Sequence, residues 1–279
     1  MDAVLQFADD HFFTPHVYPS TWEESCWKRQ ALSLYCITTI GGYLMYFSGA
    51  WTCYAFFFDK AYLTHKKILK DQVKKELTTA CTSLPIMSLL TIPFFLAEVR
   101  GFSRLYDNFF DYSLAYTAFS LFCFLMWNDC LIYWIHRGLH HPLLYGPLHK
   151  EHHRWLVPTP FASHAFHPLD GFAQSLPYHL FVFVMPIHKW VYLVSFALVN
   201  YWTVSIHDGN YQVPAFLKPF VNGSAHHTDH HLYFNYNYGQ YFTLWDRLGG
   251  SFRNPSPWEG KGPMDDILKA RKGELKKDK

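Results

Sequence analysis

Charge is what this 279-residue chain has least of: Asp, Glu, Lys and Arg together make up 16% of it, against about 25% in an ordinary soluble domain. The 24 Lys and Arg nearly cancel the 22 Asp and Glu, leaving +2. No one-signed field is therefore available to hold nucleic acid, and no charge excess to keep the chain disordered. The six cysteines (Cys26, Cys36, Cys53, Cys81, Cys123, Cys130) form no CxxC pair. Most lie in apolar stretches and read as small buried hydrophobes, not a zinc site or a disulfide framework. Met1 to Arg29 lacks the basic start and apolar core of a cleavable signal. With Phe7, Phe12 and Phe13 it reads as a segment lying on a membrane surface.

What the chain does have is apolar runs. Residues 31–58 and 77–97 contain no Asp, Glu, Lys or Arg, and 112–135 contain only Asp129. A helix needs about 20 apolar residues to cross the hydrocarbon core, so these are three spans. A fourth stretch, 171–206, has Lys189 as its one such charge and is divided at Pro186 to Lys189. Its halves are each marginal for a crossing, so it reads as a short helical hairpin. The expected fold is an all-α integral membrane protein of about four to five transmembrane helices under a cytosolic helical cap. Four parts follow: an interfacial segment 1–30, three spans in 31–135, a His-rich domain 136–263 containing the hairpin, and a basic tail 264–279.

Orientation follows basic loops. Loop 59–76 holds six Lys against three acids, whereas 98–111 holds Arg100 and Arg104 against three acids. The first is expected in the cytosol, the second across the membrane, and everything after the third span on the cytosolic side. The ending Lys276-Lys277-Asp278-Lys279 resembles a dilysine retrieval signal, which is an address read by a receptor and not an anchor.

Most of the 18 histidines fall between His136 and His231. His136, His140 and His141 stand at the end of the third span. His149, His152 and His153 form HKEHH, and His226, His227, His230 and His231 form HHTDHH. Positions three and four apart share a helix face, so each box can turn two or three imidazoles toward one centre, and neutral imidazole binds transition metals. One such box would read as solvated histidines; three beside membrane spans read as a metal site. Zinc saturates at about four ligands, and more are offered here, so two metals fit better. Spacing leaves His140 against His141 and His226 against His227 open. Hydrolytic zinc sites recruit a carboxylate base, but acids are few here. Glu151, Asp208 and Asp229 read as groups holding the imidazoles' other nitrogen. An all-imidazole pair of irons beside a membrane suits oxygen activation and attack on an unactivated C–H bond of a lipid.

These boxes, with KEHHRWLVPTPFASHAFHPLDGFAQSLPYH (150–179), Ile206-His207-Asp208-Gly209, NGSAHHTDHH (222–231), NYGQYFTLWDRLGGSF (237–252) and the opening FFTPHVYPSTW, resemble the fatty acid hydroxylase/sterol desaturase superfamily, and within it the sterol C-5 desaturases. The likeness runs from about residue 1 to 263. It implies an endoplasmic-reticulum enzyme of cholesterol biosynthesis that introduces the 5,6 double bond into a delta-7 sterol, converting lathosterol to 7-dehydrocholesterol. It also implies two iron ions, O2 as oxidant, and electrons from NADH through cytochrome b5 and its reductase. No HPGG haem motif is present, so the haem carrier is expected to be a separate protein. His207 matches a further ligand that the superfamily supplies between its second and third boxes. The alternatives are a sterol C-4 methyl oxidase or another lipid hydroxylase with the same boxes, and, from another class, a His-rich metal transporter. Transporters place ligands mid-membrane on broken helices, while these boxes lie at span ends.

Further residues are weighed singly. Asp129 lies seven before His136, about 10.5 Å along one helix face, and an intramembrane acid is a site candidate by default; a polar contact between helices is the plain alternative. Thr159 and Ser163 line a substrate pocket or cap a helix. His164 and His167 are pocket or outer-shell candidates. His11, His16, His65, His179 and His188 read as interfacial or loop residues.

Overall fold

The three charge-poor runs become the three longest helices. A computed structural model describes residues 1–277; part of the proposed retrieval signal, Asp278 and Lys279, lies outside the described residues. The chain begins with α1 (Asp2–Ala8) and the short α2 (Thr14–His16), followed by α3 (Trp27–Phe56), α4 (Gln72–Ala97) and α5 (Leu114–Leu139). A short α6 (Pro142–Leu144) leads to the pair α7 (Pro168–Val184) and α8 (Lys189–Ser205). Then come α9 (Ser224–Tyr233), α10 (Leu244–Leu248) and α11 (Pro263–Lys277). By length and apolarity α3, α4 with its extension to Phe102, and α5 can each cross a membrane.

The expected hairpin is α7 and α8; it breaks at Met185 to His188, one residue ahead of the division at Pro186 to Lys189 expected from the sequence. One departure from an all-α fold is a two-residue parallel ladder, Leu105–Tyr106 on Ile187–His188. It pins the hairpin's turn to the loop between α4 and α5, so the hairpin reaches as far through the bundle as those two helices do. Trp190, Val194, Leu198 and Tyr201 form an exposed stripe along α8 at helical spacing. A lipid-facing helix carries such a stripe; a helix in water would leave it costly.

Two apolar cores hold the bundle. Tyr46 and Ala50 of α3, Ala80 and Leu84 of α4 and Val204 of α8 pack around Trp155, Phe161 and Ala165 of the segment after HKEHH. Phe124 and Ile132 of α5 pack with Phe181 and Val182 of α7 and Tyr192 of α8. Pro85 sits inside α4 and frees the carbonyl four residues back. That carbonyl, on Cys81, accepts the Tyr43 hydroxyl at 2.7 Å, which satisfies it where no water is available. Gly171 on α7 allows a close approach: a Cβ there would lie 2.0 Å from the Phe166 ring. The ends of α3, α5 and α8 and the starts of α4 and α7 gather at one end of the bundle, and the histidines lie there.

Candidate metal centre

Alpha-helical phase delivers the first imidazoles. His136 projects from the last full turn of α5, and His140 caps its C-terminus. The chain then reverses through α6, so that His149, His152 and His153 return to face them. The end of α8 supplies His207, and α9 carries the rest. Nine of these side chains gather into two groups, His136, His140, His149, His153 and His230, and His152, His207, His227 and His231, with the candidate ligand atoms of each group within 4.8 Å of one another. The doubled histidines explain the split. Neighbours on a helix point about 100° apart, so His230 faces one group while His231 faces the other. His152 and His153 divide in the same way.

The ring nitrogens are arranged as ligands. Nε2 of His153 lies 3.1 Å from Nε2 of both His140 and His149. Nε2 of His227 lies 2.9 Å from that of His207 and 3.1 Å from that of His231. Two nitrogens bound to one cation at about 2.1 Å and at right angles stand about 3.0 Å apart. Four rings have their tautomer fixed from outside, because an oxygen acceptor takes the Nδ1 proton. His136 donates to the Tyr238 carbonyl at 3.0 Å, His230 to the Tyr236 carbonyl at 2.8 Å and His207 to the Thr203 carbonyl at 2.7 Å. His149 donates to the Asp170 carboxylate at 2.7 Å. Each is left with an Nε2 lone pair directed inward, and those of His136 and His230 are buried with no hydrogen-bond partner. Orphaned buried lone pairs are costly unless a cation takes them. The donor set therefore fits a pair of transition-metal ions with a preference for imidazole.

Burial keeps the rings neutral, as ligands must be. Desolvation, then repulsion from neighbouring histidines, drives His152, His153, His227, His230 and His231 well below the ordinary imidazole range. His207 is pushed down to about 4, chiefly by burial.

Sequence reasoning missed the groups that hold these rings. Asp170 is fully buried and braced by Gln174 Nε2 at 2.8 Å; the signal was an acid in an otherwise apolar stretch. Tyr236 and Tyr238 contribute carbonyls from a loop in which Phe234 (φ 66°) and Asn237 (φ 58°) adopt left-handed backbone, a strain that collects at functional sites. Asp129 serves this loop: its Oδ1 accepts the Tyr241 amide at 2.7 Å. Asp246 accepts the amides of Tyr238 and Gly239 at 2.9 and 2.8 Å.

Other candidates stand elsewhere. His141 is exposed and its Nδ1 caps α6, while His226 is packed between Phe252 and Trp258, away from both groups. His167 and His188 cap α7 and α8 in the same manner as His141. Thr159 accepts the Phe161 amide and donates to buried Glu76, so it ties the segment to α4. The reading of Glu151, Asp208 and Asp229 as imidazole holders needs correcting. Asp208 closes a turn onto the Asn210 amide at 2.7 Å. Asp229 faces away from its neighbouring histidines and accepts the Ser256 amide and hydroxyl. Glu151 is half-buried and makes no hydrogen bond to a histidine ring among the described residues. Glu151→Gln is accordingly expected to leave activity and bound metal within about twofold of wild type, measured side by side.

Beside the groups lies a chamber of about 90 Å³ lined by His136, His152, His207 and His227 and also by Ser163 and His164. A second cavity of about 270 Å³ lies next to it between α3, α4, α7 and α8, and Met87, His164, Ser175 and Asn200 line both.

A membrane bundle with two imidazole clusters at one end is the build of a membrane-bound, His-rich metal-binding protein. A sequence profile described as fatty acid hydroxylase matches residues 121–251. Lathosterol oxidase of Homo sapiens is 56% identical over 275 residues, covering 98% of this chain and 92% of that protein. The Mus musculus lathosterol oxidase is 56% identical over 265 residues, covering 94% and 89%. The delta(7)-sterol 5(6)-desaturase of Schizosaccharomyces pombe is 51% identical over 258 residues, covering 91% and 84%. No solved structure matches the chain. The chain belongs to the fatty acid hydroxylase family, among the lathosterol oxidases and delta(7)-sterol 5(6)-desaturases.

Proposed function

We propose that this protein is a sterol 5,6-desaturase of cholesterol biosynthesis that converts lathosterol to 7-dehydrocholesterol in the endoplasmic-reticulum membrane. The observation that carries the reading is the paired set of nine imidazoles opening onto a cavity between membrane helices, in a chain 56% identical to human lathosterol oxidase. His136, His140, His149, His153 and His230 would hold one iron, and His152, His207, His227 and His231 the other; His141 and His226 serve as cap and packing. Iron held there would supply oxygen activation; the overall reaction takes one hydrogen each from C5 and C6 and, with two electrons from a carrier and two protons from water, reduces O2 to two waters.

The chain's own residues do the rest. Asp170 and the carbonyls of Thr203, Tyr236 and Tyr238 hold four rings in register. Ile132, Phe166, Ile206 and Met87 line the chamber with apolar surface, which excludes water and favours a sterol skeleton. Five helices, α3, α4, α5, α7 and α8, cross the bilayer, with loop 59–76, the histidine domain 136–263 and the tail in the cytosol. A lipid substrate enters sideways, from the bilayer.

Expression in cells that lack C-5 desaturation tests the reading. Lathosterol falls and 7-dehydrocholesterol appears if it is right; turnover of 4-methyl sterols instead points to a C-4 methyl oxidase. Electrons come from NADH through cytochrome b5 and its reductase, docking at the exposed Lys66, Lys67, Lys70, Lys74 and Lys75. Such docking is electrostatic, and the screening length falls from about 10 Å at 0.1 M salt to about 3 Å at 1 M. Turnover of the purified protein is therefore expected to require added carrier and to slow steeply with salt. NADH-driven turnover without a carrier contradicts this.

A further inference from the structure

The second, outer cavity is lined mostly by apolar side chains, and two polar groups on its wall have nothing to bind. His179 of α7 and Tyr192 of α8 are both buried, and His179 Nδ1 and Tyr192 Oη have no hydrogen-bond partner among the described residues. The two stand close together: the Phe196 ring lies 5.8 Å from the His179 ring and 6.2 Å from the Tyr192 ring. Other hydroxyls on this wall are satisfied within their own helices. Thr38 donates to the Leu34 carbonyl at 2.7 Å, and Thr91 to the Met87 carbonyl at 3.0 Å. A buried donor or acceptor without a partner is costly between membrane helices, where bulk water cannot satisfy it.

Depth decides which part of a substrate can reach this pair. Resting on the desaturase reading, C5 and C6 of the sterol lie in the chamber beside the imidazoles. The 3-hydroxyl carbon is two bonds from C5, about 2.5 Å at about 1.5 Å per bond, so the 3-hydroxyl stays at the chamber. The aliphatic tail is at the opposite end of the rigid ring system and is the part that extends into the outer cavity. The level of the imidazoles is marked on α7 by Asp170, which holds His149, and on α8 by Thr203, which holds His207. His179 comes nine residues after Asp170 and Tyr192 eleven before Thr203, about 14 Å and about 17 Å along the two helix axes. From C6 to C25 an extended sterol spans about ten bonds, or about 12.5 Å at about 1.25 Å of advance per bond. An oxygen on C25 therefore lies about 14 Å from C6, with roughly 2.8 Å more across a hydrogen bond. The end of the tail and the polar pair fall at the same depth.

A hydrocarbon tail leaves both groups unpaired. A hydroxyl at its end satisfies both, because it can donate to a ring nitrogen of His179 and accept from the Tyr192 phenol. We propose that the outer cavity is a site for delta-7 sterols hydroxylated at the end of the tail, with His179 and Tyr192 holding the tail hydroxyl while C5 and C6 stand in the chamber. The pair is remote from the reacting carbons and binds ground and transition states alike, so its effect falls on KM and not on kcat.

The test compares lathosterol with lathosterol carrying a hydroxyl on C25, in microsomes holding the full-length enzyme and its electron carrier. Wild type is expected to favour the hydroxylated sterol about tenfold in kcat/KM, through KM, the worth of its hydrogen bonds to neutral groups. Tyr192→Phe and His179→Leu are expected to bring that ratio close to one. Thr38→Val, which removes a hydroxyl already satisfied on the same wall, is expected to keep it. The ratio does not depend on how much enzyme folds, and Tyr192→Phe, which removes a single unpaired oxygen, decides if His179→Leu is inactive on both sterols. Equal use of the two sterols by wild type, a preference that survives in Tyr192→Phe or in an active His179→Leu, or one that Thr38→Val also abolishes overturns the proposal. A wild-type enzyme that converts neither sterol overturns the desaturase reading itself, and this proposal with it.

Discussion

Alanine at any one of His136, His149, His152, His153, His227, His230 or His231 is expected to bring 5,6-desaturation of lathosterol to background. Each of these rings belongs to a group of four or five imidazoles within 4.8 Å, and each is buried. Removing one takes a ligand from a set of four or five, so metal affinity falls along with activity. Iron content should drop in step with product formation across the seven variants, measured on the purified proteins. Membrane insertion should survive, because α3, α4 and α5 form their apolar contacts without these rings. His141→Ala is the matched control: it removes an exposed cap of the three-residue α6 and costs about 1 kcal/mol of local stability at most. Near-normal desaturation in two or more of the seven variants would falsify the assignment of these boxes as the metal centre.

Asp170→Asn is expected to lower kcat by about 10–100-fold, the usual cost of losing the group that orients a metal-bound histidine. The carboxylate is fully buried and accepts the His149 Nδ1 proton at 2.7 Å. An amide is neutral there, so it holds the proton more weakly and contributes less electron density to the ring. Asp170 is not among the residues that line the chamber or the outer cavity, so KM for lathosterol should hardly move. A raised KM with unchanged kcat would place Asp170 at the substrate and not behind His149.

Much of this was legible in the sequence because its causes are local. A span is a run without charge, and 31–58, 77–97 and 112–135 lie within or overlap the three long helices. A ligand box is a helical period, which is why HKEHH and HHTDHH each divide between the two groups. What stayed hidden depends on distant partners. The Tyr238 carbonyl reaches His136 across 102 residues of chain, and Asp129 reaches the Tyr241 amide across 112. No spacing rule announces a backbone carbonyl. The choice of His140 over His141 turned on α5 ending at Leu139, which leaves His140 on the helical face and turns His141 outward to start α6. Asp229 lies close to the boxes in sequence and so reads as a holder of imidazoles, yet its side chain leaves α9 on the side of Ser256. Asp170, far from every box in sequence, does that work.

The most direct measurement is the number and kind of metal ions per chain in purified protein that is active on lathosterol. Two groups of imidazoles are present, so close to two irons per chain are expected, with both activity and iron lost in His153→Ala. Full activity with a single ion per chain, or with zinc in place of iron, would contradict a paired iron centre built from these nine histidines.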